Sequence, residues 1–206
     1  MNLKEHWDAV YTNKVIEKLT WQETIPEPSL KLIRNLGLSH YAEIISVGTG
    51  TSNLIEFLLE DGFQNITVND ISSVAMQLLK EKLGKEECNV EWIQDDLTAP
   101  TLLKEIPPID LWYDRAALHF FIEEKDQLTY FNLLKQSVKS KGYVIIATFA
   151  KNGAKMCSGL PLLQYDTEML SERLGFDFEL REVLHDNFET PGRDRRPFIY
   201  TVYQRK

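Results

Sequence analysis

Short apolar segments alternate along this chain with amphipathic ones, and a glycine closes most of the amphipathic segments. Glu43–Val47 reads as a strand, a glycine turn follows, and Asn53–Glu60 reads as a helix whose Leu54 and Leu58 share one face before Gly62 stops it. The succession returns as Ile66–Asn69 then Ser73–Leu83 with Gly84, as Val90–Ile93, as Ile109–Tyr113 then Lys125–Lys139 with Gly142, and as Tyr143–Phe149 then Thr167–Leu174 with Gly175. Strands that are apolar throughout must be covered on both faces, and strands joined through helices pair in parallel. The pattern therefore predicts a parallel sheet between two helical layers.

The carboxyl-terminal stretch breaks this rule. Phe176, Phe178 and Leu180 alternate with Asp177, Glu179 and Arg181, and Phe198, Tyr200 and Val202 alternate with Ile199, Thr201 and Tyr203. No helical stretch separates the two runs, so they are expected to pair antiparallel. Five strands with crossovers plus this hairpin predict an α/β fold: a three-layer αβα sandwich with a seven-stranded, mostly parallel sheet and a C-terminal antiparallel hairpin. Ahead of the first strand, Leu3, Trp7, Val10 and Tyr11 form a helical stripe over residues 2–11, while Pro26 and Pro28 lead into a second helix, Ser29–Leu36, closed by Gly37. Composition does not shift along the 206 residues, which are expected to make a single domain, with 1–40 a helical lid segment over a core at 41–206.

Charge narrows the function classes. The 31 acidic residues outweigh the 23 basic ones for a net charge of -8, which predicts neither general nucleic-acid binding nor a polybasic membrane anchor. The longest apolar runs, such as Val144-Ile145-Ile146-Ala147, fall far short of the roughly 20 residues that span a bilayer. Charged and polar residues fill Met1–Asp8 where a signal peptide needs an apolar stretch, so a cytoplasmic location is expected. Two cysteines, Cys88 and Cys157, make neither a disulfide framework nor a metal site, and no metal is expected.

The first turn reads Val47-Gly48-Thr49-Gly50-Thr51-Ser52-Asn53. Two residues without side chains let backbone N–H groups approach a ligand at the start of the next helix; Asn53 stands where a dinucleotide fingerprint has its third glycine. The second strand ends at Asp70, about twenty residues on, where a carboxylate can accept both hydroxyls of a ribose or cap the following helix, a task that Ser72 or Ser73 can also perform. The third strand ends in Asp95-Asp96-Leu97, with Asp96 preferred over Asp95 because it adjoins Leu97, whose N–H can read an adenine edge. In a doubly wound sheet these strand ends share the carboxyl edge, so Gly48, Asp70 and Asp96 converge on one nucleoside.

This arrangement resembles the class I S-adenosylmethionine-dependent methyltransferases, Rossmann-like enzymes, over roughly residues 40–206. The resemblance implies Gly48, Thr49 and Gly50 with Asn53 around the methionine end of S-adenosyl-L-methionine, Asp70 and Ile71 at the ribose, Asp96 and Leu97 at the adenine, and Asp114 and Arg115 at the end of the fourth strand. Asp114-Arg115-Ala116-Ala117-Leu118 is similar to a segment of the thiopurine methyltransferases, whereas Trp7-Asp8-x-x-Tyr11 and Trp21 resemble the amino-terminal region of a protein-lysine-methyltransferase-like branch. The implied activity is methyl transfer by in-line displacement to a small molecule, slightly favoured for want of an appended recognition domain, or to a protein lysine. A nicotinamide-dependent oxidoreductase could also use Gly48-x-Gly50 and Asp70, but it would call for a further parallel βαβ half; a non-catalytic nucleoside-binding scaffold is the third reading.

Methyl transfer from a sulfonium needs positioning, water exclusion and sometimes a base, so few catalytic residues are expected. His119 and Asp114 are the candidates, with packing against Leu118, Phe120 and Phe121 the alternative role for His119. Arg115 suits the methionine carboxylate or an ion pair with Asp114. Trp7, Tyr11 and Trp21 suit either a lid with aromatic faces near the sulfonium or plain helix packing. Two long loops, Ala150–Pro161 with Cys157 and His185–Pro197 with Arg193, Arg195 and Arg196, are expected to flank the acceptor; the arginines suit an anionic substrate, an acidic protein face or solvent.

Overall fold

A computed structural model describes residues 2–13, 15–16, 19–190 and 192–206. Seven strands form one sheet: β1 (Glu43–Val47), β2 (Asn65–Asp70), β3 (Val90–Gln94), β4 (Ile109–Arg115), β5 (Val138–Phe149), then β8 (Phe178–Glu189) and β9 (Arg195–Arg205). Their order is β3-β2-β1-β4-β5-β9-β8, with β1 to β5 parallel and β9 antiparallel to both of its neighbours. Strand order reverses between β1 and β4, the point at which open α/β sheets bind their ligands. A two-stranded ribbon, β6 (Met156–Cys157) with β7 (Leu160–Pro161), rises from the loop after β5. Among the described residues no helix is long and apolar enough to cross a membrane.

Period-two alternation sorts the core onto two faces. Ile44, Leu111, Tyr113, Ile145, Ala147 and Tyr200 meet α2 (Glu27–Asn35), α3 (Leu54–Glu60) and α4 (Ser73–Leu83); Ile45, Val47, Trp112, Val144, Ile146 and Tyr203 meet α5 (Glu124–Ser137) and α6 (Thr167–Leu174). The amino-terminal helix α1 (Leu3–Asn13) lies across α4, where Asp8 accepts from the Ser72 hydroxyl at 2.7 Å and from the Val74 N–H at 3.3 Å. Ser72 itself caps α4, accepting from the Ala75 N–H, as the sequence allows. Gly37, Gly62, Gly84 and Gly175 all take the left-handed backbone expected where a helix ends.

Three boundaries differ from the sequence reading. Gly142 does not end a helix: α5 stops at Ser137, and Gly142 lies inside β5, where a Cβ would press on the Lys139 carbonyl at 2.9 Å. Phe176 stands outside the hairpin and is 94% exposed. The expected loop His185–Pro197 is mostly strand, because β8 runs on to Glu189 in register with β9, which begins at Arg195. Its polar residues are tolerated there because β8 is an edge strand with a solvated face.

The same alternation corrects the expected role of Asp114. It shares the face of Trp112, is fully buried, and receives N–H donors from Ala117 at 2.9 Å and Leu118 at 3.1 Å and the Tyr130 hydroxyl at 2.8 Å. Trp112 in turn donates its indole N–H to the Tyr130 oxygen at 3.1 Å. Asp114 thus pins the turn after β4 from beneath. Tyr130→Phe takes one donor from this buried carboxylate, so a loss of about 1–3 kcal/mol is expected. The check is a melting temperature lowered by roughly 2–4 °C per kcal/mol.

Candidate functional site

A cavity opens along the carboxyl edge of the sheet beneath α1 and the segment that follows it. Of the residues singled out from the sequence, Trp7, Tyr11, Trp21, Gly48, Thr49, Asp70, Ile71, Asp96, Leu97, Arg115 and His119 all line it. The wall divides into two halves. Strand ends β1 to β3 contribute Gly48, Thr49, Asn69, Asp70, Asp95, Asp96 and Leu97, while β4, β5, β8, β9 and the ribbon contribute Arg115, His119, Phe149, Cys157, Phe188, Arg196 and Phe198.

The first half is a polar cradle. Gly48 has φ +56, and a Cβ there would lie 2.5 Å from that of Ala117, so only glycine lets the two turns meet. The Asp70 carboxylate accepts from the Gly50 N–H at 2.7 Å and from the Ser72 N–H at 2.8 Å, tying the glycine turn to the end of β2. Burial raises its pKa to about 6 against the pull of those two N–H groups. Asp95 is committed to its own loop, accepting from the Thr101 and Leu103 N–H groups at 2.8 and 2.9 Å; these bonds outweigh burial and hold its carboxyl below the usual range. The Asp96 carboxylate bonds only Thr98, through one oxygen, among the described residues.

Besides Asp114, two residues expected at the cofactor, Asn53 and Gly50, lie off the cavity wall. Asn53 lies off the cavity wall: it accepts from Gln22 at 2.8 Å and from Lys82, and it donates to the Thr24 carbonyl at 2.8 Å, so it anchors residues 22–24. Gly50 is not wall either, for its N–H goes to Asp70 and the Tyr11 hydroxyl packs against its Cα.

Arg115 does not form the ion pair with Asp114 that the sequence allows. Successive strand residues point to opposite faces, so Arg115 turns away from Asp114 and toward the amino-terminal segment. Its Nε lies 3.0 Å from Glu23 and donates to the Tyr200 hydroxyl at 3.1 Å, and Nη1 donates to the Trp21 carbonyl at 3.1 Å. The guanidinium stacks on Phe188 and Phe198 at 4.9 and 5.2 Å. Burial disfavours its charge, but Tyr200 and Glu23 hold it firmly protonated. Burial raises the Glu23 carboxyl while Arg115 pulls it down. Glu23, Gln22 and Phe188 carried no sequence signal, since each acquires its role from a partner far along the chain.

His119 is buried, with Nδ1 3.3 Å from the Thr148 hydroxyl and Nε2 without a partner among the described residues. Burial, helped by the Arg115 charge, pushes its pKa down to about 3, so the imidazole is neutral at any physiological pH. Aromatic rings surround it: Phe120 at 4.6 Å, Phe149 at 4.9 Å and Phe198 at 6.5 Å. Above them Trp7 meets Phe120 edge-on at 4.9 Å and Trp21 at 5.9 Å. The two uses weighed for these amino-terminal aromatics thus coincide: they pack together and, packed, they wall the cavity.

Residues 44–142 match a family described as a methyltransferase domain. A zebrafish (Danio rerio) protein, EEF1A lysine methyltransferase 2, is 25% identical, the alignment covering 93% of this chain and 82% of the relative. The fold is similar to that of an S-adenosylmethionine-dependent methyltransferase from Anabaena variabilis, with a TM-score of 0.80 at 15% identity over 99% of this chain and 93% of that one. It is also similar to the N-methyltransferase NodS of Bradyrhizobium japonicum in complex with S-adenosylhomocysteine, with a TM-score of 0.73 at 13% identity over 100% and 99% of the two chains.

Arg115→Met leaves the Glu23 carboxylate buried without its cation, which costs about 3–5 kcal/mol. Differential scanning calorimetry is expected to record a melting temperature lowered by on the order of 10 °C; an unchanged value would mean that the ion pair contributes nothing.

Proposed function

We propose that this chain, a class I S-adenosylmethionine-dependent methyltransferase, methylates a small organic acceptor held in the aromatic half of its cavity. One observation carries the reading. A single cavity joins a polar cradle at the ends of β1 to β3 to an apolar chamber at the ends of β4, β5 and β9, roofed by Trp7 and Trp21.

The cradle fits the cofactor. Gly48 and Thr49 form the floor of the cradle where the turns after β1 and β4 meet, and Asp70 and Asp96 present carboxylates with Ile71 and Leu97 beside them. We assign the ribose hydroxyls to Asp70, the adenine to Asp96 and Leu97, and the methionine end to Gly48 and Thr49 beneath Tyr11. Bound S-adenosylmethionine supplies a methyl group already activated on a sulfonium. The chain's own task is then to align the acceptor with it and to exclude water. Trp7, Trp21 and Phe120 shed water from the chamber and offer aromatic faces to a cation. His119, with its depressed pKa, is a weak base and serves as a neutral hydrogen-bonding partner through Nε2.

The lysine methyltransferase relative supports a second reading, a protein lysine as acceptor. Charge speaks against it. Arg196 stands on the chamber wall with no carboxylate partner among the described residues, and Glu23 is occupied by Arg115, so that wall offers an approaching ammonium no free counter-charge.

S-Adenosylhomocysteine at about 100 times its Kd is expected to stabilise the protein by about 2.7 kcal/mol, and Asp70→Ala to abolish the shift. No shift in the wild type would overturn the cofactor assignment. Binding has a predicted pH profile. The folded Asp70 titrates near 6, and ribose hydroxyls donate best to the ionised form, so affinity is full above pH 6 and falls below it by up to about tenfold per unit. Asp70→Asn flattens the profile in isothermal titration. Methyl-labelled donor incubated with a cell extract is expected to mark the small-molecule fraction; label confined to protein would favour the lysine reading.

A further inference from the structure

Arg196 lines the chamber, and the methyl-transfer reading gives it no role. Period-two alternation puts Arg196 and Phe198 on the same face of β9, and the register sets Phe188 of β8 directly beside Arg196; all three line the chamber. Arg193 and Arg195 are exposed on the turn and the opposite face, and Arg195 lies 3.9 Å from Glu189. The expected arginine group therefore separates, and only Arg196 turns inward. There it is partly buried and has no carboxylate within ion-pair distance among the described residues. Its Nη1 reaches only the Thr20 hydroxyl at 3.4 Å and the Cys157 sulfur at 3.9 Å. A cation partly removed from water without a counter-charge is costly, and a ligand that brings the counter-charge recovers that cost.

A second observation points the same way. Arg115 is already neutralised by Glu23, yet its Nη2 is buried and unpartnered among the described residues, as is Nε2 of His119, and both side chains line this chamber. One wall thus combines guanidinium donors with the aromatic faces of Phe149, Phe188 and Phe198, of which Phe149 and Phe198 stand 4.5 Å apart.

We infer that the methyl acceptor is a planar organic anion, its apolar body against the wall that Phe149, Phe188 and Phe198 form and its negative group on Arg196, which makes Arg196 the residue that sets acceptor specificity. The inference rests on the methyl-transfer reading of the same cavity.

The test uses the full chain saturated with S-adenosylhomocysteine and four matched probes: benzoate, phenylacetate, salicylate and indole-acetate, each against its primary amide. Calorimetry and ligand-observed NMR are expected to find the acids bound about tenfold or more tighter than the amides. Arg196→Gln should erase the difference and Arg196→Lys keep most of it, with both variants still binding S-adenosylhomocysteine as the wild type does, which also certifies their fold. Equal binding of acids and amides, binding of neither set, or an acid preference that survives Arg196→Gln would overturn the inference while leaving the cofactor assignment intact. Failure of the wild type to bind S-adenosylhomocysteine would overturn that assignment and the inference with it.

Discussion

The buried pair of Arg115 and Glu23 joins the two parts of this molecule. Arg115 ends a central strand of the sheet and Glu23 lies in the segment after α1, so one ion pair with a 3.0 Å contact brings the amino-terminal roof onto the carboxyl edge. Neither charge is stable there alone. Tyr200 and the Trp21 carbonyl complete the guanidinium's partners, and Phe188 and Phe198 cover its faces. Where the roof sits therefore depends on a polar knot within an aromatic cluster. Asp8 adds a second tie by accepting from Ser72 and Val74 at the start of α4, and Asn53 a third through Gln22 and Thr24.

Electrostatics divide the space under that roof. Acidic residues gather at the ends of β2 and β3, whereas Arg115, paired with Glu23, and Arg196 stand at the ends of β4 and β9, so the two halves of the cavity differ in charge. The sheet order produces this separation. Because β1 stands between β2 and β4, and β5 between β4 and β9, residues far apart in sequence reach one edge at defined spacings.

Much of this was legible in the sequence. Apolar alternation and closing glycines predicted the parallel strands, their helices and the antiparallel end, and the spacing from Gly48 to Asp70 and Asp96 predicted which strand ends would meet. The same alternation also bore on a point the motif reading left open: neighbours on a strand face opposite ways, so Asp114 and Arg115 could not pair, and Asp114 went to Tyr130 beneath the sheet. The hairpin was longer than composition suggested because an edge strand tolerates polar residues on its open face. Asn53 followed the fingerprint in spacing but not in role, its amide being drawn off the cavity by Gln22 and Thr24.

Strand and helix periods, glycine turns and helix caps are interactions between near neighbours, and for that reason the sequence alone determined the layers, the strand count of the main sheet and which strand ends share one edge. Which buried charge meets which partner is a contact between residues tens to more than a hundred positions apart: Arg115 with Glu23, Tyr113 with Ser29, Arg196 with Thr20 and Cys157. Only the tertiary structure decided those pairings, because a buried polar group takes whatever complement the packed sheet and its roof bring within hydrogen-bonding reach.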